Sequence, residues 1–111
     1  MARLATPLDG ITPATVVATD PTAGESQRVA VYGSTATDWA QLNLHTATHT
    51  VGAVAAASVD PAPAAGQSPG CPGDTGAPLL RDRNGTTEIA AVASLSWQGG
   101  CLGTPATETR T

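Results

Sequence analysis

Apolar residues in this chain recur mostly at every second position or in short runs, not with the 3.6-residue period of an amphipathic helix. That pattern directs the chain toward short, half-buried strands. Thr15–Ala18 is rich in β-branched residues, Arg28–Tyr32 alternates, and Leu42–Val51 alternates with threonine on every other position. Ala77–Arg81 is a short candidate and Glu88–Trp97 the longest. Gly52–Val59 stays open between strand and helix because of its alanine run. Asn84-Gly85 lies between the last two strands and is a strong hairpin signal, since both residues tolerate positive φ. Residues 19–24 and 33–38 read as loops, and residues 60–73 as one long loop containing four prolines. The expectation is one domain spanning residues 1–111, all-β, with five or so short strands at the spacing of a barrel or sandwich.

Composition narrows the function classes. Hydrophobic residues make up 41%, with no phenylalanine, two tryptophans and one tyrosine. A core of alanine and valine buries little apolar area per residue, so marginal stability is expected. The net charge is -4, and the five cationic residues are all arginine and scattered. Nucleic acid and anionic membrane surfaces are poor partners for such a charge pattern. No apolar run approaches the ~18 residues of a spanning helix. Met1–Gly10 has no hydrophobic core segment, so no signal peptide is expected in the chain as written. The two cysteines, Cys71 and Cys101, are compatible with one disulfide and an oxidising compartment, but a pair of free buried thiols stays open.

The segment richest in chemistry is Cys71-Pro72-Gly73-Asp74-Thr75-Gly76-Ala77-Pro78-Leu79. It resembles the Gly-Asp-Ser-Gly-Gly-Pro-Leu signature around the nucleophile of trypsin/chymotrypsin-like serine proteases, with Thr75 in place of the serine and Ala77 in place of the second glycine after it. Small residues there let the backbone turn sharply, so that two N–H groups converge on a substrate carbonyl. By resemblance those donors are the amides of Gly73 and Thr75, with Asp74 and Gly76 as motif support. Ser94-Leu95-Ser96-Trp97-Gln98-Gly99-Gly100-Cys101 is similar to the family's Ser-Trp-Gly strand, which leads to a half-cystine. The resemblance implies a Cys71–Cys101 disulfide and a substrate-pairing edge at Ser96 and Trp97. Pro69 and Gln98 would flank the specificity pocket, and both depart from the residues that recognise a basic side chain. Upstream, Arg3–Leu8 looks like the tail of the segment between the family's two barrels, and Gln27–Gly33 like the first strand of the second barrel.

The implied fold is the second barrel of the trypsin-like fold: a partial, six-stranded, antiparallel Greek-key barrel of a secreted, bacterial-type protein. The implied substrates are peptides or proteins, with no metal and no cofactor. The family's catalytic histidine and aspartate lie in the barrel that precedes this region, and its last strand and C-terminal helix follow. His45 and His49 are the only histidines, and neither matches the family's base position. A serine-class nucleophile without a base is weak at neutral pH, so the expectation is an inactive fragment or pseudoprotease.

The same residues admit rival readings. Asp74-Thr75-Gly76-Ala77 also spells the motif of retroviral-type aspartic proteases, which would make Asp74 half of a carboxylate dyad. That motif normally follows an apolar strand early in a chain, whereas Gly70-Cys71-Pro72-Gly73 precedes it here. His45 and His49 suggest zinc only if helical. On a strand they stand ~13 Å apart along one face, and the simpler reading places them on a strand surface. Asn84-Gly85-Thr86 matches a glycosylation sequon, but a hairpin turn accounts for it. A non-catalytic β-module that binds a peptide along Ser96–Trp97 is the main alternative in a different function class.

Overall fold

The computed structural model of the chain describes residues 2–39, 43–62, 71, 73–94 and 101–103. It is all-β, with six strands: β1 (Thr15–Val16), β2 (Ser26–Val31), β3 (His45–Val54), β4 (Val59–Ala62), β5 (Pro78–Arg83) and β6 (Thr86–Val92). They form one sheet in the order β1-β6-β5-β2-β3-β4. All neighbours are antiparallel except β1 and β6, which run parallel. The sheet is therefore mixed, a correction to the wholly antiparallel arrangement expected. Its first and last strands are not neighbours, so the barrel is not closed.

Alternation builds one buried face. On β2, Gln27, Val29 and Val31 are buried. The register sets Gln27 opposite His49, Val29 opposite Ala47 and Val31 opposite His45, so these side chains share the inner face. Thr46, Thr48 and Thr50 occupy the opposite, exposed face of β3. Their branched side chains favour extended backbone without needing burial. Leu79 lies opposite Val29 and continues the inner face into β5.

The inner face is small and mixed. Among the described residues, buried apolar positions are Pro21, Val29, Val31, Val51, Cys71 and Cys101, and buried polar ones are Gln27, Ser34, His49, Asp74 and Arg81. So large a polar share means that hydrogen bonds and ion pairs hold much of this interior, since an unpaired buried polar group costs on the order of 1–3 kcal/mol.

Each strand differs slightly from its expected span. β2 begins and ends earlier than Arg28–Tyr32, and β1 is shorter than Thr15–Ala18. Asn43 and Leu44 lie outside β3, which instead runs on through Gly52 to Val54. The open segment 52–59 thus resolves as the end of one strand, a turn closed by the Ala55 amide donating to the Ser58 carbonyl at 2.9 Å, and the start of β4. Asp60–Ala62, expected in a long loop, are part of β4 and pair with β3 through a bulge between Val51 and Val54. Pro61 is tolerated because β4 is an edge strand, where an N–H can be spared. β6 starts at Thr86 and ends at Val92, earlier than the Trp97 expected. The Asn84-Gly85 turn joins β5 to β6 with φ of 51° and 76°, the two positive values that a two-residue hairpin requires.

Candidate functional site

The turn from Cys71 to Ala77 is organised by the Asp74 side chain. Its Oδ2 accepts the Cys71 amide at 2.7 Å and its Oδ1 the Gly33 amide at 3.1 Å. The first bond closes the turn on itself. The second ties the turn to the end of β2. The backbone adds two more bonds within the turn, from the Asp74 amide to the Cys71 carbonyl (3.1 Å) and from the Ala77 amide to the Asp74 carbonyl (3.0 Å). The Gly76 amide donates to the Ala93 carbonyl at 2.7 Å, which docks the turn onto the end of β6.

Glycine is required at position 73 for two reasons. Its φ is 97°, and a Cβ there would stand 3.1 Å from the Gly33 Cα. The second contact is backbone against backbone, so it cannot relax by a rotamer change. Gly76 also has positive φ, 90°, but faces open space.

With the Asp74, Gly76 and Ala77 amides taken, the Gly73 and Thr75 amides meet no acceptor among the described residues. Thr75 is exposed, and its hydroxyl makes no hydrogen bond among the described residues. Among the described residues the turn therefore presents two unspent backbone donors beside an exposed hydroxyl.

The Cys71–Cys101 disulfide is formed, with Cα atoms 5.7 Å apart and both residues buried. It pins the start of the turn to residues 101–103. That segment is held in turn by the Leu102 amide donating to the Thr35 carbonyl at 2.8 Å. Pro69, Ser96, Trp97 and Gln98, the expected pocket and substrate edge, lie outside the described residues.

Behind the turn lies a cavity of about 350 Å³, inside the curl of the sheet between the β3–β4 turn and the end of β6. Asp74 and His49 both line it, as do Ser58 and Ser94. This corrects the reading of His49 as a surface residue, because the residue is only 6% exposed. The reason is register: position 49 falls on the inner face opposite Gln27. Burial pushes the His49 imidazole's pKa below its ordinary value, and the negative charge of Asp74 partly opposes that shift.

A serine, a histidine and an aspartate thus share one cavity, but no hydrogen bond links them. The Asp74 carboxylate is committed to two backbone amides and orients no imidazole. His45, four residues away on the same strand, has a buried Nδ1 without a partner among the described residues. Among the described residues no group of three or more His, Cys, Asp or Glu side chains is placed to hold a metal ion.

Sequence reasoning brought out the turn and the bridge but missed the cavity and a buried ion pair at the far end of the inner face. Arg81 is 3% exposed, and its guanidinium pairs with Glu25 at 2.7 Å. The signal was available: Arg81 alternates with Leu80 and shares the parity of Leu79, so a strand there points it inward. In a search of known proteins, no family model matches the chain and no curated protein does.

Proposed function

We propose that this chain is the second β-barrel of a trypsin-like serine endopeptidase, carrying a nucleophile turn that is built but disarmed. The observation that carries the reading is the pair of unspent amides at Gly73 and Thr75, flanking a turn whose other donors are all satisfied. Unspent donors are what an oxyanion hole requires, because preorganised N–H groups stabilise developing negative charge only if nothing else occupies them. The Cys71–Cys101 bridge and the Asp74 carboxylate support it by fixing the turn from both sides.

Residue by residue, Gly73 and Thr75 supply the donors, and Thr75 stands in the nucleophile's place. Asp74 and Gly76 shape the turn. By resemblance alone, since all four lie outside the described residues, Ser96 and Trp97 are assigned as the edge for a peptide substrate and Pro69 and Gln98 as flanking its pocket. The disulfide fits a secreted protein. Activity is absent for two reasons. The Thr75 methyl restricts χ1 and crowds the site where a base would stand, and neither histidine reaches its hydroxyl. Oxyanion donors without a base retain only part of a triad's rate enhancement.

The test is a fluorophosphonate probe, which reacts with activated serine-class hydroxyls. Neither the native chain nor the Thr75→Ser variant should be labelled at position 75. Labelling of either would show that a base reaches the hydroxyl and would overturn the disarmed reading.

A further inference from the structure

The Asn84-Gly85 turn has no part in the protease reading, yet it brings reactive groups together. Asn84 is exposed at the tip of the β5–β6 hairpin. Its side-chain amide makes no hydrogen bond among the described residues. The residue that follows has no side chain, and a Cβ placed on it would meet nothing within 4 Å. The Gly85 amide lies beyond the last pair of the ladder, Arg83 opposite Thr86, and bonds no carbonyl among the described residues. An unspent backbone N–H therefore follows directly on an unbonded carboxamide, with no bulk to keep the two apart.

We propose that Asn84 is a site of spontaneous modification, at which the Gly85 amide closes onto the side chain and water converts the asparagine to aspartate and isoaspartate. The Gly85 nitrogen bonds to the Asn84 Cγ, the Cγ–Nδ2 bond breaks, and the amide proton leaves with Nδ2 as ammonia. Water then opens the resulting cyclic imide at either carbonyl. Opening at Cγ gives aspartate. Opening at the backbone carbonyl gives isoaspartate, in which the chain runs through the side-chain carbon. Water is the only co-reactant. No residue of the 71–77 turn takes part, so the site is independent of the protease reading.

The folded turn sets the rate. Asn84 is left-handed, with φ of 51°, and such a residue holds the following nitrogen turned away from its own Cβ. Ring closure therefore requires the 84–85 peptide to swing out of the turn, and nothing packs on Gly85 to oppose it. Behind the tip the strands stay paired through Asp82 opposite Thr87, whose hydroxyl donates to the Asp82 carboxylate. Opening is thus an event of the tip and not of the whole fold. Aspartate keeps the turn, since Asp-Gly suits a two-residue hairpin as Asn-Gly does. Isoaspartate adds a backbone carbon that such a turn cannot accommodate, so it uncouples Arg83 from Thr86. Either product adds negative charge to a chain whose net charge is -4.

The test incubates the full, disulfide-bonded chain at mildly alkaline pH. Peptide mapping by mass spectrometry follows the amide-to-acid mass gain, and labelling by an isoaspartyl methyltransferase separates the two products. Asn43, the only other asparagine, is also exposed but is followed by Leu44, and serves as the internal control. Asn84 should convert to both acids at a rate within ~10-fold of the urea-unfolded chain, because opening a loop tip costs little. Asn43 should stay intact over the same period, and Asn84→Gln should abolish conversion at the turn. An Asn84 that survives in the folded chain after the unfolded chain has converted would overturn the proposal. So would equal conversion of Asn43, or aspartate formed without isoaspartate, which would mean direct hydrolysis with no ring.

Discussion

Arg81 occupies an inward position of β5, where a strand ordinarily places a leucine or valine, and all five of its N–H donors find acceptors. Nε and Nη2 bind the two Glu25 oxygens at 2.7 and 3.0 Å. Nη1 reaches the carbonyl and the hydroxyl of Thr19, both at 3.1 Å, and Nη2 also reaches the Asp20 carbonyl at 3.2 Å. Glu25 in turn accepts the Thr22 amide and the Gln27 side chain. The Arg81 bond is the main reason its carboxyl is held at about 2, against an ordinary 4.5. Removing one partner strands a buried charge, so Glu25→Gln should cost ~3–5 kcal/mol in urea unfolding. Arg28 makes a similar fork to Asp82 on the outer face. Being exposed, that pair is worth under ~1 kcal/mol, and Asp82→Asn should barely move the midpoint. Exposed Asp82 is also held below its ordinary value by Arg28, but among the described residues two interior groups weigh most in the acid response. The unfolded chain protonates Glu25 near 4.5 and the folded chain only near 2, so this contribution is complete above 4.5 and lost as pH falls toward 2. His49 is also depressed on folding, from 6.5, because burial disfavours its charged form more than Asp74 favours it. Its protonation therefore destabilises the fold as pH drops below 6.5. His49→Leu should remove the upper step of a stability–pH profile and leave the lower one.

At the scale of elements, the β5–β6 hairpin and the 73–77 turn were legible because their signals are local. Asn84-Gly85 specifies its own backbone, and Gly85→Ala, at φ 76°, should cost ~1 kcal/mol by forcing a side chain into a left-handed conformation. Gly73→Ala should cost more, ~1–3 kcal/mol, because positive φ is joined there by the close approach to Gly33. Strand ends were less legible. β3 overran its expected end by three residues because Gly52–Val54 pair across a bulge with β4, and nothing in that alanine-rich stretch announces a partner strand. β4 itself was hidden by Pro61, which reads as a breaker unless the strand is known to be an edge. The parallel contact of Thr15–Val16 with β6 joins segments more than seventy residues apart. Alternation marks each strand but does not name its neighbour.

For the whole molecule, the described residues form an open six-stranded sheet whose interior is nearly as polar as it is apolar. Such an interior leans on its covalent bridge. The loop that Cys71–Cys101 closes, with a sequence separation of 30, is worth ~3–4 kcal/mol in the chain-entropy model. Against a total of ~5–15 kcal/mol for ordinary domains, reduction should lower the unfolding midpoint sharply and loosen the 71–77 turn first. The bridge was foreseeable only through resemblance, since two cysteines alone leave the pairing open. The cavity depends on how the β3–β4 turn curls toward β6, which no local signal encodes. The central proposal is that the 73–77 turn is preorganised with two amides free for an oxyanion. Amide hydrogen exchange, read residue by residue by NMR, tests it most directly. The account predicts slow exchange at Cys71, Asp74, Gly76 and Ala77, whose amides are hydrogen-bonded, and fast exchange at Gly73 and Thr75 between them. Protection at Gly73 and Thr75, or equally fast exchange across the whole turn, would contradict it.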